Sequence, residues 1–477
     1  MAPIAINWSR FKRQARAKAS IFRDLLKCNQ GANNESLSSI GLLDQLSTAS
    51  RQERAARLQT YIRNLIAQTL GLKAAKQIDP DQRLIELGLD SLMAIELKNQ
   101  LQATLNCSLR SSFLFDHPTL AALTEHLADQ LFGSHNASSH SASSHSASSH
   151  SASSHSANED ISSPNTSISQ HTFSRTLVPI QTAGTQPPLF FVPGILGNVF
   201  YLEPLARHLG ADQHFYGLRS LGLEEAISPY TQIEEIAAHH IQSIQSLQPC
   251  GPYWIGGHSF GGKVAFEIAR RLYTEGHTIG GVMLLDSPAG GTAKTSEVLR
   301  WDKAQYLASL AREWGSSIGK DLGISVQHLR SLKPTEQAAF FFEKLRSHQQ
   351  LYTKPALMRM IAVYEANTQA TLNEIHPASY PTLSKTQYAI PTILFRAKDL
   401  FPMPEFLPTP EVTQADPTWG WQQYSNQLQV QVAIGNHFTM MQEPQIQSLA
   451  HQLAKFLKET SSAPNRAHRK YSETVRG

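Results

Sequence analysis

The sequence predicts a multidomain chain in which a small all-α bundle is tethered to an α/β domain with a mostly parallel sheet. Three observations predict it. Ahead of residue 133, apolar residues recur at helical spacing. From Gly133 to about Ser174 the chain becomes a low-complexity run dominated by Ser, with Ala and His. Beyond that, short apolar runs alternate with amphipathic helices, the pattern of a sheet covered on both faces. The 477 residues are enough for several domains of about 100–200 residues each.

The bundle is read over residues 52–132. RLQTYIRNLIAQTLGL (57–72) puts Leu58, Ile62, Leu65, Ile66 and Leu70 on one helical face. A loop with Pro80 and Asp81 follows, and a second helix opens at Ser91 with Leu92, Ile95 and Leu97 apolar. Pro118 suits the first turn of a third, PTLAALTEHLADQL. The tether, 133–175, holds NASSH and three SASSH units, with His135, His140, His145, His150 and His155 five apart. Ser and Ala at this density cannot bury a core, so a flexible coil is expected. A period of five does not stack the histidines on one helix face, so no metal site is expected there.

In the third part, 176–460, LFFVP (189–193), YWIGG (253–257), VMLLD (282–286), TILFRA (392–397) and LQVQVAI (428–434) read as strands. IEEIAAHHIQSIQSL (233–247) and GKVAFEIARRLYTEG (262–276) read as helices. A polar tail, 461–477, closes the chain.

Composition excludes several classes. A net charge of +4 is too small, for this length, to argue for nucleic-acid binding, and none is expected. No run of about 18 apolar residues exists, so no membrane span is expected. Cys28, Cys107 and Cys250 form neither a CxxC pair nor a disulfide framework, which suits a reducing, cytoplasmic setting. The basic, acid-poor stretch from Arg10 to Arg23 has the composition of a mitochondrial transit peptide, but a connector over 1–51 is the preferred reading.

Two serines carry the chemistry. Ser91 stands in LIELGLDSLMAIELKNQL (84–101), where Asp90 or Ser91 could simply cap the helix. The segment resembles the acyl and peptidyl carrier proteins, whose G-x-DSL motif opens the second helix of a four-helix bundle. FLFDHPTLAALTEHL (113–127) resembles that family's third and fourth helices. The resemblance implies that Ser91 carries 4′-phosphopantetheine, attached by a phosphopantetheinyl transferase. A phosphodiester beside a helix N-terminus is favoured by free N–H groups and the helix dipole. Asp90 and Glu96 would present an acidic docking face.

Ser259 stands in GHSFG (257–261), a G-x-S-x-G between a predicted strand and a predicted helix, the setting of a nucleophile elbow. A serine hydroxyl needs a base. His437, in AIGNHFTMM after the last strand, has the right place, ahead of His376 and His451. The acid must follow an intervening strand, and both Asp286 and Asp399 do. From about 177 to 458 the chain resembles the type I thioesterase domains, of α/β-hydrolase fold, that terminate polyketide and nonribosomal peptide assembly lines. In that family the acid commonly follows the earlier strand, as in LLDSP, which implies Asp286. Phe260, directly after the nucleophile, should give one oxyanion N–H. The other should come from the PGILGN loop (193–198), with Ile195 implied by the resemblance.

The hundred-odd residues after Asp286 exceed a crossover, and Trp301, Tyr306, Trp314, AFFFEKL (339–345) and LMRMIAVY (357–364) suggest an apolar helical lid over about 289–385. PIAINWSRFKRQ near the start resembles the tail of an upstream modifying domain or a connector. The expectation is a terminal carrier–thioesterase of a polyketide synthase or a polyketide/nonribosomal peptide hybrid. Upstream synthase domains or subunits would be its partners and an acyl chain its substrate, released by hydrolysis or cyclisation. The alternative is a carrier scaffold whose hydrolase domain only docks.

Overall fold

The computed structural model describes residues 39–132 and 176–462, except 71, 73–74, 76–77, 88, 90, 110–111, 225–226, 290–300, 318–319, 348–352, 375–386 and 400–414. The tether, the first 38 residues, the tail from 463, Asp90 and the rival histidine His376 lie outside the described residues. Residues up to Arg54 belong to a unit of their own, described from helix α1 (Ser39–Thr48); the rest, from Ala55, is a second.

Helix α2 (Arg51–Thr69) begins seven residues before Leu58, the first residue of its apolar stripe. The reason is a capping box: the Ser50 N–H and hydroxyl both donate to the Glu53 carboxylate, at 3.0 and 2.9 Å. Leu58, Ile62 and Ile66 are fully buried, as the periodicity requires, and Leu70 falls beyond the helix end. Helices α3 (Ser91–Leu105), α4 (Phe113–Asp116) and α5 (Leu120–Phe132) complete the bundle, with Leu97, Leu101, Leu114, Leu120, Leu123 and Leu127 at its centre. Pro118 precedes α5 instead of occupying its first turn. Thr119 takes the capping place, its hydroxyl accepting from Ala122 N–H at 3.2 Å, while the Pro118 carbonyl accepts from Leu84 N–H.

The second part is a seven-stranded sheet in the order β1-β3-β2-β4-β5-β6-β7. Its strands are β1 (Leu177–Gln181), β2 (Gln186–Val192), β3 (Gln213–Leu218), β4 (Tyr253–His258), β5 (Ile279–Leu285), β6 (Thr392–Ala397) and β7 (Leu428–Ala433). All pairings are parallel except the edge pair β1/β3. Strand β5 is buried along its whole length, as a central parallel strand must be. Helices α6 (Glu203–His208) and α13 (Gln445–Ser462) cover one face. Leu205, Ile446, Leu449, Leu453 and Phe456 join Leu189, Phe191, Leu285 and Phe395 in one cluster. Helices α7 (Ile233–Leu247) and α8 (Phe260–Thr274) pack together on the other face.

Between β5 and β6 the described chain passes through α9 (Lys303–Ser317), α10 (Val326–Ser331), α11 (Pro334–Ser347) and α12 (Lys354–Glu374). These helices have a core of their own, including Leu310, Trp314, Phe341, Ile361 and Tyr364. Inside it, Tyr364 Oη donates to Ser309 Oγ at 2.9 Å.

Candidate active site

Ser259 occupies the tight turn between β4 and α8 with φ +56° and ψ −124°. Such a backbone costs about 1–3 kcal/mol for a residue with a Cβ and persists only where its surroundings enforce it. Here they do. The Ser259 N–H donates to the Leu285 carbonyl at 2.8 Å, which ties the turn to the end of β5. A Cβ at Gly257 would collide with the Gly261 carbonyl, and one at Gly261 with the carbonyls of Val192 and Pro193. The G-x-S-x-G glycines are therefore required by close backbone approach.

Asp286 directly follows β5, also at positive φ (+46°). One carboxylate oxygen accepts from Ala397 N–H at 2.6 Å; the other accepts from His437 Nδ1 at 2.7 Å. Both side chains are buried. His437 leaves β7 through Gly435 (φ +96°) and Asn436, whose side-chain oxygen accepts from the N–H groups of Phe438 and Thr439. Burial alone would lower the His437 pKa. The hydrogen bond and charge of Asp286, with the charge of Glu313 on α9, outweigh it and hold the imidazole above its ordinary value. Asp399 is exposed, its N–H donating to the Gly435 carbonyl, and His451 is exposed on α13. Ser259 Oγ makes no hydrogen bond to His437 among the described residues; such contacts commonly tighten only in the substrate complex.

His258, the variable residue of the elbow, joins these pieces. Its Nε2 lies 3.0 Å from the His437 carbonyl, and the two rings stack at 4.8 Å. Burial and the neighbouring His437 push its pKa down to about 3, so it is neutral. A carbonyl can only accept, so Nε2 carries the proton and Nδ1 accepts from Tyr201 Oη, 3.1 Å away. Tyr201 Oη in turn accepts from Gly194 N–H at 2.8 Å.

That last bond reaches the PGILGN loop, which is pinned on three sides. Gly194 N–H is held by Tyr201, and the Gly194 carbonyl accepts from Gly197 N–H at 2.8 Å. The Ile195 carbonyl accepts from Asn367 Nδ2 of α12, also at 2.8 Å. With the Gly194 carbonyl turned into the loop, the planar peptide directs the Ile195 N–H the opposite way. Phe260 opens α8, where helix N–H groups have no intrahelical partner. Sequence reasoning missed His258, Tyr201 and Asn367. For His258 a signal existed in its place next to the nucleophile; Tyr201 and Asn367 are brought in from distant segments.

Ser91 is the first residue of the fifteen-residue α3, whose first turn holds no acidic side chain. A phosphodiester there would meet the positive end of the helix dipole with no acidic side chain in the first turn of α3, so the helix start fits phosphopantetheine.

The family model described as thioesterase domain matches residues 187–457, more than half of the chain. The one described as phosphopantetheine attachment site, a domain that carries 4′-phosphopantetheine covalently, matches 60–127. Indigoidine synthase of Dickeya dadantii (strain 3937) is 33% identical over 210 residues, 44% of this chain and 12% of that protein. Chondramide synthase of Chondromyces crocatus is 29% identical over 286 residues, 59% and 7% respectively. Polyketide synthase PksR of Bacillus subtilis (strain 168) is 27% identical over 234 residues, 49% and 8%. The chain thus spans 12% or less of the length of these relatives. It shares its fold with a holo four-domain nonribosomal peptide synthetase crystallised with AMP and glycine, at TM-score 0.54 and 24% identity, covering 82% of this chain and 25% of that one. No described helix is long and apolar enough to cross a membrane. With a phosphopantetheine attachment domain ahead of it, the chain belongs to the thioesterase-domain family.

Proposed function

We propose that this chain is the terminal carrier–thioesterase of a polyketide or polyketide/nonribosomal peptide assembly line, fed by upstream synthase domains or subunits. Its parts are a connector (1–51), a carrier (52–132), a tether (133–175) and a thioesterase (176–460) with a lid over about 289–385. Ser91 is the residue that a phosphopantetheinyl transferase modifies. The arm supplies the acyl group as an activated thioester.

The observation that carries the catalytic reading is the Asp286–His437 pair at 2.7 Å, beside an elbow serine held in a strained turn. His437 Nε2 takes the Ser259 hydroxyl proton as Oγ attacks the acyl carbonyl. Phe260 and Ile195 N–H groups stabilise the oxyanion. The C–S bond then breaks, the thiolate receives the proton from His437, and an acyl-Ser259 remains. In the second step water, or a hydroxyl or amine of the acyl chain itself, loses its proton to His437 and displaces Ser259. Asp286 holds the Nδ1–H tautomer throughout and stabilises the imidazolium.

The test is intact-protein and product mass spectrometry on the full chain, modified by a broad-range transferase and loaded with candidate acyl groups. Ser91→Ala should abolish the mass gain yet leave hydrolysis of a soluble acyl thioester nearly unchanged. Ser259→Ala should keep the arm and the acyl group on it. A cyclic product is lighter than the acid by one water, which separates the two fates. Parent-rate release from Ser259→Ala would overturn the nucleophile, and no mass gain on the parent would overturn the carrier.

A further inference from the structure

The bundle bearing Ser91 meets the α/β part along a seam built of complementary pieces. Phe115, on α4, stacks on Phe200 with ring centroids 4.9 Å apart, and it packs against the hydrophobic cluster beneath β1–β3. Two ion pairs flank it. Arg83 binds Glu203 at 2.7 Å, and Lys98 binds Glu224 at 3.0 Å. Glu224 also takes Arg219, 2.8 Å away and almost fully buried, so one carboxylate serves a cation from each side. Despite its burial, the two guanidinium and ammonium charges hold the Glu224 carboxyl below the usual range. Glu96 accepts from Thr353 Oγ1 at 2.8 Å. Among the described residues, Glu96 of the expected acidic face thus meets a neutral hydroxyl, and the ionic contacts run the other way, basic carrier to acidic hydrolase.

The seam is also placed for delivery. Glu96 and Lys98 lie five and seven residues after Ser91 on α3, within about 8–11 Å along the axis at 1.5 Å per residue. On the other side, Thr353 leads into lid helix α12, where Arg359 Nε binds the Leu223 carbonyl next to Glu224. Asn367, about 21 Å along the same axis from Thr353, holds the Ile195 carbonyl. One helix thus runs from the Ser91 helix to the oxyanion loop.

We propose that this seam is the delivery interface, at which the carrier docks on its own thioesterase through the Phe115 anchor with its register set by Lys98–Glu224 and Arg83–Glu203. The proposal rests on the carrier–thioesterase reading and names its docking surface. The balance of effects suits a carrier that must also leave. Lys98 gives up most of its hydration to enter the seam, and that cost offsets much of the attraction to Glu224. Such pairs select register and speed encounter more than they add affinity.

The test uses the full-length holo chain with Lys98→Glu and Arg83→Glu combined, and separately Phe115→Ala. Release of the acyl group from the chain's own arm should fall on the order of 30-fold in the double variant. Hydrolysis of an acyl-N-acetylcysteamine thioester should stay at the parent rate, and full mass gain at Ser91 would show the carrier still folded. Rising salt should slow arm release in the parent and have less effect in the double variant. Amide exchange over 215–223 and 353–360 should be slower in the parent than in the double variant, whatever the turnover. Parent-rate arm release, or unchanged exchange in the double variant, would overturn the docking surface and leave the thioesterase reading standing. Loss of soluble-thioester hydrolysis in the parent would instead remove that reading, with exchange still deciding the seam.

Discussion

Ser91 and Ser259 are the same residue at the same kind of place, the N-terminal end of a helix, yet the chain prepares them in opposite ways. Ser91 is the first residue of α3, whose first turn holds no acidic side chain. Ser259 sits one residue outside α8 at positive φ, locked by glycine packing and by the end of β5, with a charge-paired histidine beside it. On the roles proposed above, the difference follows from where the chemical power comes from. A serine modified by a separate transferase needs only access. A serine that must attack a carbonyl needs a base, an oxyanion site and a backbone that projects its Oγ. Each variant below can be read at both serines, and each should act at Ser259 alone.

The largest effect should come from Asp286→Asn. An amide cannot hold the Nδ1–H tautomer of His437 or balance the imidazolium, so kcat on a soluble thioester should fall on the order of 10⁴-fold. Asp399→Asn, at an exposed position, should stay near the parent rate. Both variants should gain phosphopantetheine fully. A greater loss from Asp399→Asn in the same assay would reassign the acid.

The sequence made the two serines legible for unequal reasons. G-x-S-x-G and the downstream His437 are local signals read against a strand–helix alternation that β4, α8, β5 and β7 bear out within a few residues. The choice of Asp286 over Asp399 was not local. It rests on the family resemblance, since sheet order alone would favour Asp399, which follows β6, the neighbour of β7; in the fold it is the Asp286 carboxylate that lies 2.7 Å from His437 Nδ1, while Asp399 is exposed. Strands β1 and β3 left no readable trace. LVPIQ is five residues with a proline, tolerable because β1 is an edge, and QHFYGL mixes polar and apolar residues. The capping box at Ser50 and Glu53 was readable but overshadowed by the apolar stripe that starts later.

Tyr201→Phe should have an intermediate effect and tests the pinned loop. The Phe variant keeps the ring but frees Gly194 N–H and the Nδ1 of His258. Losing an oxyanion donor outright costs about 10²–10³ in kcat. Tyr201 only orients that loop, so a loss of about tenfold is expected, in kcat with KM almost unchanged. A rise in KM at constant kcat would instead place Tyr201 in substrate binding.

The smallest effect concerns Glu313, and it is a shift in pH dependence, not in maximal rate. Burial raises the pKa of this α9 carboxyl, with the nearby charges of His437 and Arg312 opposing. Its charge in turn joins Asp286 in holding the His437 pKa up. His437 must be neutral to take the Ser259 proton, so a raised pKa moves the acid limb of kcat/KM to higher pH than an ordinary histidine, near 6.5, would give. Glu313→Gln removes one source of that elevation and leaves the Asp286 bond intact. The acid limb should therefore move to lower pH by a modest amount, and the plateau at higher pH should hold. Soluble-thioester kinetics across the limb, parent against variant, measure both. An upward shift would reverse the sign assigned to Glu313, and an unmoved limb would mean its charge does not reach His437 in the free enzyme. Arm attachment at Ser91, which does not call on His437, should show no difference between the two proteins at any pH at which the transferase works.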